Sequence, residues 1–398
     1  MPRGADLSCR SIPGRSLLQD REAGSFRQSI HVSAYPLAEG LSYVWWSPQG
    51  RVVKATADAP GLRLASTGDG FPWPDLEFQP DGDAMHLTWQ RSGNERLTFV
   101  DGGRAVVSVE SVVRASTAVI EGTLSRLEDA GIHHSPLHDE WAVIRSTSIE
   151  ERDFLLAAAR LGIDPYDVPD PLASELVSAG DSLPGELLND ILAVAGPADL
   201  GDIVSWVADV APSADGAGSE GRADLQRWEH VVRGAIATHL FGPAPWAEGY
   251  AAAQQLRPLL NENLTELLEL DEVVKATTTN FPYRSIEAVG KRLTAIDLVV
   301  PDKKPTTGRR FAQARALYRG LTSSPGSPFA LTAARTGLQQ AERAFAAELL
   351  APVHGLRERL GAELATLTDD DVEDLAVAFG VNGLVIQHQI DNSRRMAA

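Results

Sequence analysis

Cysteine is almost absent: Cys9 is the single one in 398 residues, so no internal disulfide can form. That usage fits a reducing compartment and predicts a cytoplasmic location. Long apolar runs are missing as well. Nothing approaches the ~18 residues that cross a bilayer, and the opening MPRGADLSCRSIPGRSLLQDR lacks the apolar stretch of a secretory signal. Membrane-embedded and exported functions are therefore not expected. Positive charge is in short supply, with 36 Lys plus Arg against 54 Asp plus Glu and a formal net charge of −18. Unassisted binding to nucleic acid or to an anionic membrane is thus opposed electrostatically. What the chain does have is core material, with 43% hydrophobic and 23% charged residues. At roughly 100–200 residues per domain, two or three globular domains are expected.

Residues 1–28 mix Arg, Ser and Gly without either hydrophobic period and read as a disordered leader. From 29 to 146 the signals are those of a β-rich N-terminal domain. Tyr43–Trp46 and Arg51–Val53 flank Ser47-Pro48-Gln49-Gly50, with Pro and Gly where a type I turn wants them. Leu97–Val100 and Arg104–Val107 flank Asp101-Gly102-Gly103, so two hairpins of an antiparallel meander are expected. Val109, Val112, Ser116, Val119, Ile120, Thr123 and Leu127 recur at helical spacing, predicting a helix over about 110–129 that covers the sheet. Residues 147–211 read as a helical segment. Within it, Ser148 and Glu151 form a capping box and Gly162 a stop, bounding a helix at 149–161. The small polar run 212–222 has linker composition, and 223–398 read as a mostly helical domain. The expected class is α+β.

Several motifs carry little. Gly216-x-Gly218-x-x-Gly221 has the spacing of a dinucleotide fingerprint, but Pro212 and Ser213 stand where the preceding buried strand should be, so linker is the better reading. Gly290-Lys291 lacks the rest of a phosphate loop. His133, His134, His138, Asp139 and Glu140 include metal-ligating types, yet Pro136 interrupts them and no i,i+4 pair sits on a helix, so a surface loop is expected. His230, beside Trp228 and Glu229, reads as one face of an amphipathic helix.

The informative stretch is Arg309-Arg310-Phe311-Ala312-Gln313-Ala314-Arg315-Ala316-Leu317-Tyr318-Arg319-Gly320-Leu321. It is followed some twenty residues later by Gln339-Gln340-Ala341-Glu342-Arg343-Ala344-Phe345-Ala346-Ala347-Glu348-Leu349-Leu350-Ala351-Pro352. Periodicity gives two helices, with apolar stripes Phe311, Ala314, Tyr318, Leu321 and Leu338, Phe345, Leu349, joined by a Ser/Pro/Gly-rich connection from Ser323 to Pro328. The pair resembles the ImmA/IrrE family of zinc metallo-endopeptidases, in which an R-F-x-x-A-H-E-x-x-H helix precedes an E-x-x-A-x-x-F-A-A-E-L-L-x-P helix. The likeness covers 309–352 and extends loosely to Leu375–Val381. It implies a zincin-like helical domain at 223–398.

Carried over position by position, the resemblance places the zinc ligands on Arg315, Arg319 and Gln339 and the general base on Ala316. None of these residues can do that chemistry. Guanidinium has no free lone pair and stays protonated, so it repels a metal ion. The expectation is a degenerate, catalytically inactive member with no metal and no cofactor. It would act as a regulatory or protein-interaction protein, possible settings being stress response or mobile-element control. The alternatives are a zinc endopeptidase with replacement ligands and a DNA-binding regulator. In the first reading Arg310, Arg315, Arg319 and Glu342 are the binding residues, with Arg315 or Arg319 bonded to Glu342 in the old zinc position. The basic run Lys303, Lys304, Arg309, Arg310, Arg315 and Arg319 is either a solvated helix face or an anion or acidic-partner site. Near the C-terminus Thr368 and Asp371 read as a helix cap, and Ala376-x-x-x-Gly380 before Val385 has helix-turn-helix spacing. Asp369, Asp370, Asp371, Glu373 and Asp374 would face phosphates, so a packed helical hairpin is favoured there over a DNA reader.

Overall fold

The computed structural model describes residues 18–27, 32–50, 62–67, 73–82, 84–94, 96–211, 222–238, 245–361 and 367–397. The chain is α+β and divides into two compact units, 1–170 and 171–398. This division falls upstream of the expected linker, whose residues 212–221 lie outside those described, as does Gly216-x-Gly218-x-x-Gly221.

The first unit holds two antiparallel sheets and a helical layer. One sheet has the order β2-β1-β7-β6, from β1 (Leu18–Asp20), β2 (Ser25–Arg27), β6 (Ser92–Gly93) and β7 (Leu97–Phe99). The other has the order β3-β4-β5-β8, from β3 (Leu62–Arg63), β4 (Asp75–Asp81), β5 (Ala84–Gln90) and β8 (Gly103–Ser108). Residues 18–27 were expected in the leader. They form strands instead, because Leu18 is buried and the Asp20 carboxylate accepts the amides of Glu22 and Ala23, closing the turn. The first expected hairpin is corrected: Tyr35–Tyr43 is helix α1 and Ser47–Gly50 a single turn, α2. Trp45 and Trp46 are drawn into helix packing, Trp45 meeting Trp141 edge-on at 5.0 Å. The second is also corrected. Strands β7 and β8 are consecutive but belong to different sheets, and the true reversal is β4–β5, where Gly82 takes φ 63°.

Three helices follow: α3 (Val109–Asp129), α4 (Pro136–Ser146) and α5 (Ile149–Leu161). Ser108, Ser135 and Ser148 cap them, each hydroxyl accepting an amide of the first turn, and Gly162 ends α5 in the left-handed region at φ 90°. The 133–140 cluster is therefore no loop throughout. Pro136 opens α4, and the His138 ring Nδ1 lies 2.8 Å from Ser135 Oγ.

The second unit is mostly helical around one four-stranded sheet that the expected helical domain did not include. Its helices are α6 (Asp170–Ser182), α7 (Gly185–Leu192), α8 (Leu200–Val210), α9 (Arg222–Ala237) and α10 (Trp246–Leu260). Strands β9 (Val274–Thr279), β10 (Ile286–Arg292) and β11 (Ile296–Pro301) precede α11 (Thr306–Thr322). Then come β12 (Pro328–Thr332), α12 (Gly337–Leu350), α13 (Val353–Leu360), α14 (Asp369–Phe379) and α15 (Gly383–Ala397). The sheet order is β12-β10-β11-β9, antiparallel except for β11 with β9. The connection from Ser323 thus ends in a fully buried edge strand. Helices α10 and α12 approach so closely that a Cβ at Gly249 would collide with the Ala341 carbonyl. One core runs from Leu225 through the sheet, α11 and α12 to Ile390.

Candidate functional site

Helix α11 is buried on every side from Ala312 to Leu321. A helix so placed must find a partner for each polar side chain it carries. Gln313 donates to Asp271 Oδ1 at 2.7 Å and to the Val274 carbonyl at 3.0 Å. Arg315, 1% exposed, spends its guanidinium on three elements. Nε and Nη2 both donate to Glu342 Oε1 of α12, at 3.1 and 2.5 Å. Nη1 donates to Glu287 Oε2 of β10 at 2.6 Å, and Nη2 also reaches the Thr332 carbonyl of β12 at 3.0 Å. Burial works against the charge, but Glu342 and then Glu287 outweigh it and raise the pKa of Arg315.

One turn on, Arg319 points to a different partner. Its Nη2 donates to Asp190 Oδ2 of α7 at 2.6 Å, and its guanidinium lies 5.6 Å from the Phe329 ring centroid. The same Asp190 oxygen accepts the amide of Ala330 at 2.9 Å. Arg343 of α12 donates to the Thr332 and Ala334 carbonyls, both at 2.8 Å. The edge strand β12 is therefore closed by side chains: Asp190 takes its amide, Arg315 and Arg343 a carbonyl. Capping of this kind removes the template for a further strand. Lys304 Nζ stands 3.7 Å from Glu287 Oε2, and burial, against the pull of Glu287, lowers its pKa.

Of the residues singled out from sequence, Arg315 and Glu342 meet as expected. Arg319 bonds Asp190 rather than Glu342. Gln339 is buried, and its Oε1, Glu342 Oε2 and Arg319 Nε have no hydrogen-bond partner among the described residues. Ala316 is fully buried and offers nothing that accepts a proton. Arg310 is not in the cluster; it donates to the Leu268 carbonyl at 2.7 Å and to Glu269 Oε2 at 3.2 Å. The basic run is thus largely engaged internally, by Glu269, Glu287, Glu342 and Asp190, which removes most of an anion site. Leu338 is exposed and does not belong to the buried stripe of α12.

Sequence reasoning missed Asp190 and Glu287. Both left a trace: Asp190 follows Leu187 and precedes Ile191 on the buried face of α7, and Glu287 interrupts the apolar run of β10. The zinc site that the resemblance implies does not fit these residues, since two of its positions hold cations already bonded to carboxylates. At 133–140, His133 and His134 are exposed. No group of three or more His, Cys, Asp or Glu among the described residues could hold a metal ion. No described helix is long and apolar enough to cross a membrane. No family model, curated protein or solved structure matches the chain.

Proposed function

We propose that this chain is a catalytically inactive protein of the ImmA/IrrE metallo-endopeptidase type, acting through a protein partner in a regulatory role. The observation that carries this reading is Arg315, whose buried guanidinium occupies the space between α11 and α12 and is bonded from both sides by Glu342 and Glu287. A metal-activated hydroxide needs a cation held by lone pairs and a nearby base. Here the inherited positions supply a second cation, a third at Arg319, an amide at Gln339 and a methyl at Ala316. What supports retained descent is the order of parts: sheet, α11, buried edge strand, α12. The acidic first turn of α14, with Asp369, Asp370 and Asp371, favours a protein partner over DNA.

The test is elemental analysis of the full chain after incubation with zinc and gel filtration, together with a peptidase assay on denatured casein. Substoichiometric zinc and no cleavage are expected. One tightly held zinc per chain that is lost in Glu342→Gln, or cleavage abolished by a chelator, overturns the reading.

A further inference from the structure

Glu348, near the end of α12, is 1% exposed and lies where α10, α12, α13 and α15 meet. Its Oε1 accepts from Gln254 of α10 at 3.3 Å. Its Oε2 accepts from the amide of Val353 at 3.2 Å and from Gln389 Nε2 of α15 at 2.7 Å. Gln389 also donates to the Ala351 carbonyl at 2.9 Å and accepts from the Tyr250 hydroxyl, to which Asn392 donates at 3.0 Å. Gln389 thus ties α15 both to the Glu348 carboxyl and to Tyr250 and the Ala351 carbonyl, inside an apolar seat that includes Phe379, Ile386 and Ile390.

Its hydrogen-bond donors are all neutral amides. Of the charged groups near it, Arg357 on α13 attracts it; the elements packed against it also carry Tyr250 and Arg257 on α10, His354 on α13, and His388 and Asp391 on α15. Burial dominates and pushes the Glu348 carboxyl up to about 7, against the hydrogen bonds from Val353, Gln389 and Gln254. A neutral amide solvates a carboxylate less well than bulk water, so lifting α15 away favours the ionised form. The neutral acid suits the seated form. Oε1–H can donate to Gln254 once that amide turns its oxygen inward, while Oε2 keeps Gln389 and Val353.

We propose that seating of α15 on α10 and α12 is linked to a proton on Glu348, the helix holding firmly when the carboxyl is neutral and loosening when it ionises. The sign follows from linkage: the seated state binds the proton more tightly, so seating weakens as pH rises.

Hydrogen exchange of the full chain reads this out. Protection of the α15 amides, corrected for the intrinsic pH dependence of exchange, should fall by roughly ten- to a hundredfold between about pH 5 and about pH 8. Helix α3, in the first unit, should keep its protection. Glu348→Gln should flatten the dependence and His388→Gln should leave it. Unchanged protection in the wild type, an equal loss in α3, or a dependence that disappears with His388→Gln overturns the proposal. The wild-type and His388→Gln results stand even if Glu348→Gln does not fold.

Discussion

In the first unit, Arg145 and Glu121 meet at 3.4 Å with side chains 65% and 50% exposed. In the second, Arg315 and Glu342 meet at 2.5 Å with both side chains 1% exposed. The chemistry is the same and the consequences are opposite. On the surface, water solvates either ion alone, so the pair is optional. In the core neither ion has water, so each depends on the other. The second unit repeats the arrangement at Arg319–Asp190, binding α11 to α7 as Arg315 binds it to α12 and β10. Each buried arginine of α11 thus fills the gap between packed elements and ties them.

Removing one partner of the buried pair tests this most sharply. Glu342→Ala leaves the Arg315 charge to Glu287 alone, with Nε unpaired in the core, and should lower unfolding stability by roughly 3 kcal/mol, read by denaturant titration. Replacing both, as Arg315→Met with Glu342→Leu, should recover most of that loss, because the cost lies in the unpaired charge. A double mutant as unstable as Glu342→Ala would show that packing, not charge, dominates.

Glu348 sharpens the contrast from the other side, being a buried carboxyl held by amides. Its folded pKa of about 7 lies above its ordinary value of 4.5. The folded state therefore holds the extra proton, and stability falls as pH rises through that window. The drop is on the order of 3 kcal/mol. Thermal unfolding across that range should show the decline in wild type and lose it in Glu348→Gln.

Smaller effects are expected in the first unit. Ser148→Ala removes the hydroxyl that caps α5 at 3.1 Å from the Glu151 amide and should cost about 1 kcal/mol. Arg145→Ala should change stability by less than about 0.5 kcal/mol, and still less at high salt. A loss above ~1 kcal/mol there would break the comparison.

Local signals gave the helices and their ends. Ser148 and Gly162 bound α5 as expected, Thr368 and Asp371 form a reciprocal capping box, and Gly380 closes α14 in the left-handed region. These succeed because a cap is satisfied within four residues. Tyr43–Trp46 and the hairpin at 97–107 were misplaced because Trp45 and Val107 are apolar in either structure; Arg51–Val53 lie outside the described residues. Which sheet β8 joins depends on β5, not on the turn before it.

The sequence by itself determined that positions 315, 316, 319 and 339 carry two guanidinium groups, a methyl and an amide, since donor and acceptor capacity is a property of the side chain. The resemblance of its two helices to a known helix pair also set Arg315 or Arg319 against Glu342, and the structure brings Arg315 there. Only the tertiary structure decided that Arg319 turns to Asp190, that Glu287 completes the cluster, and that Gln389 reaches Glu348. These partners lie 129, 28 and 41 residues apart in the chain. No local pattern encodes such distances; burial does, by forcing each charge or amide to bond whatever polar group the fold brings beside it.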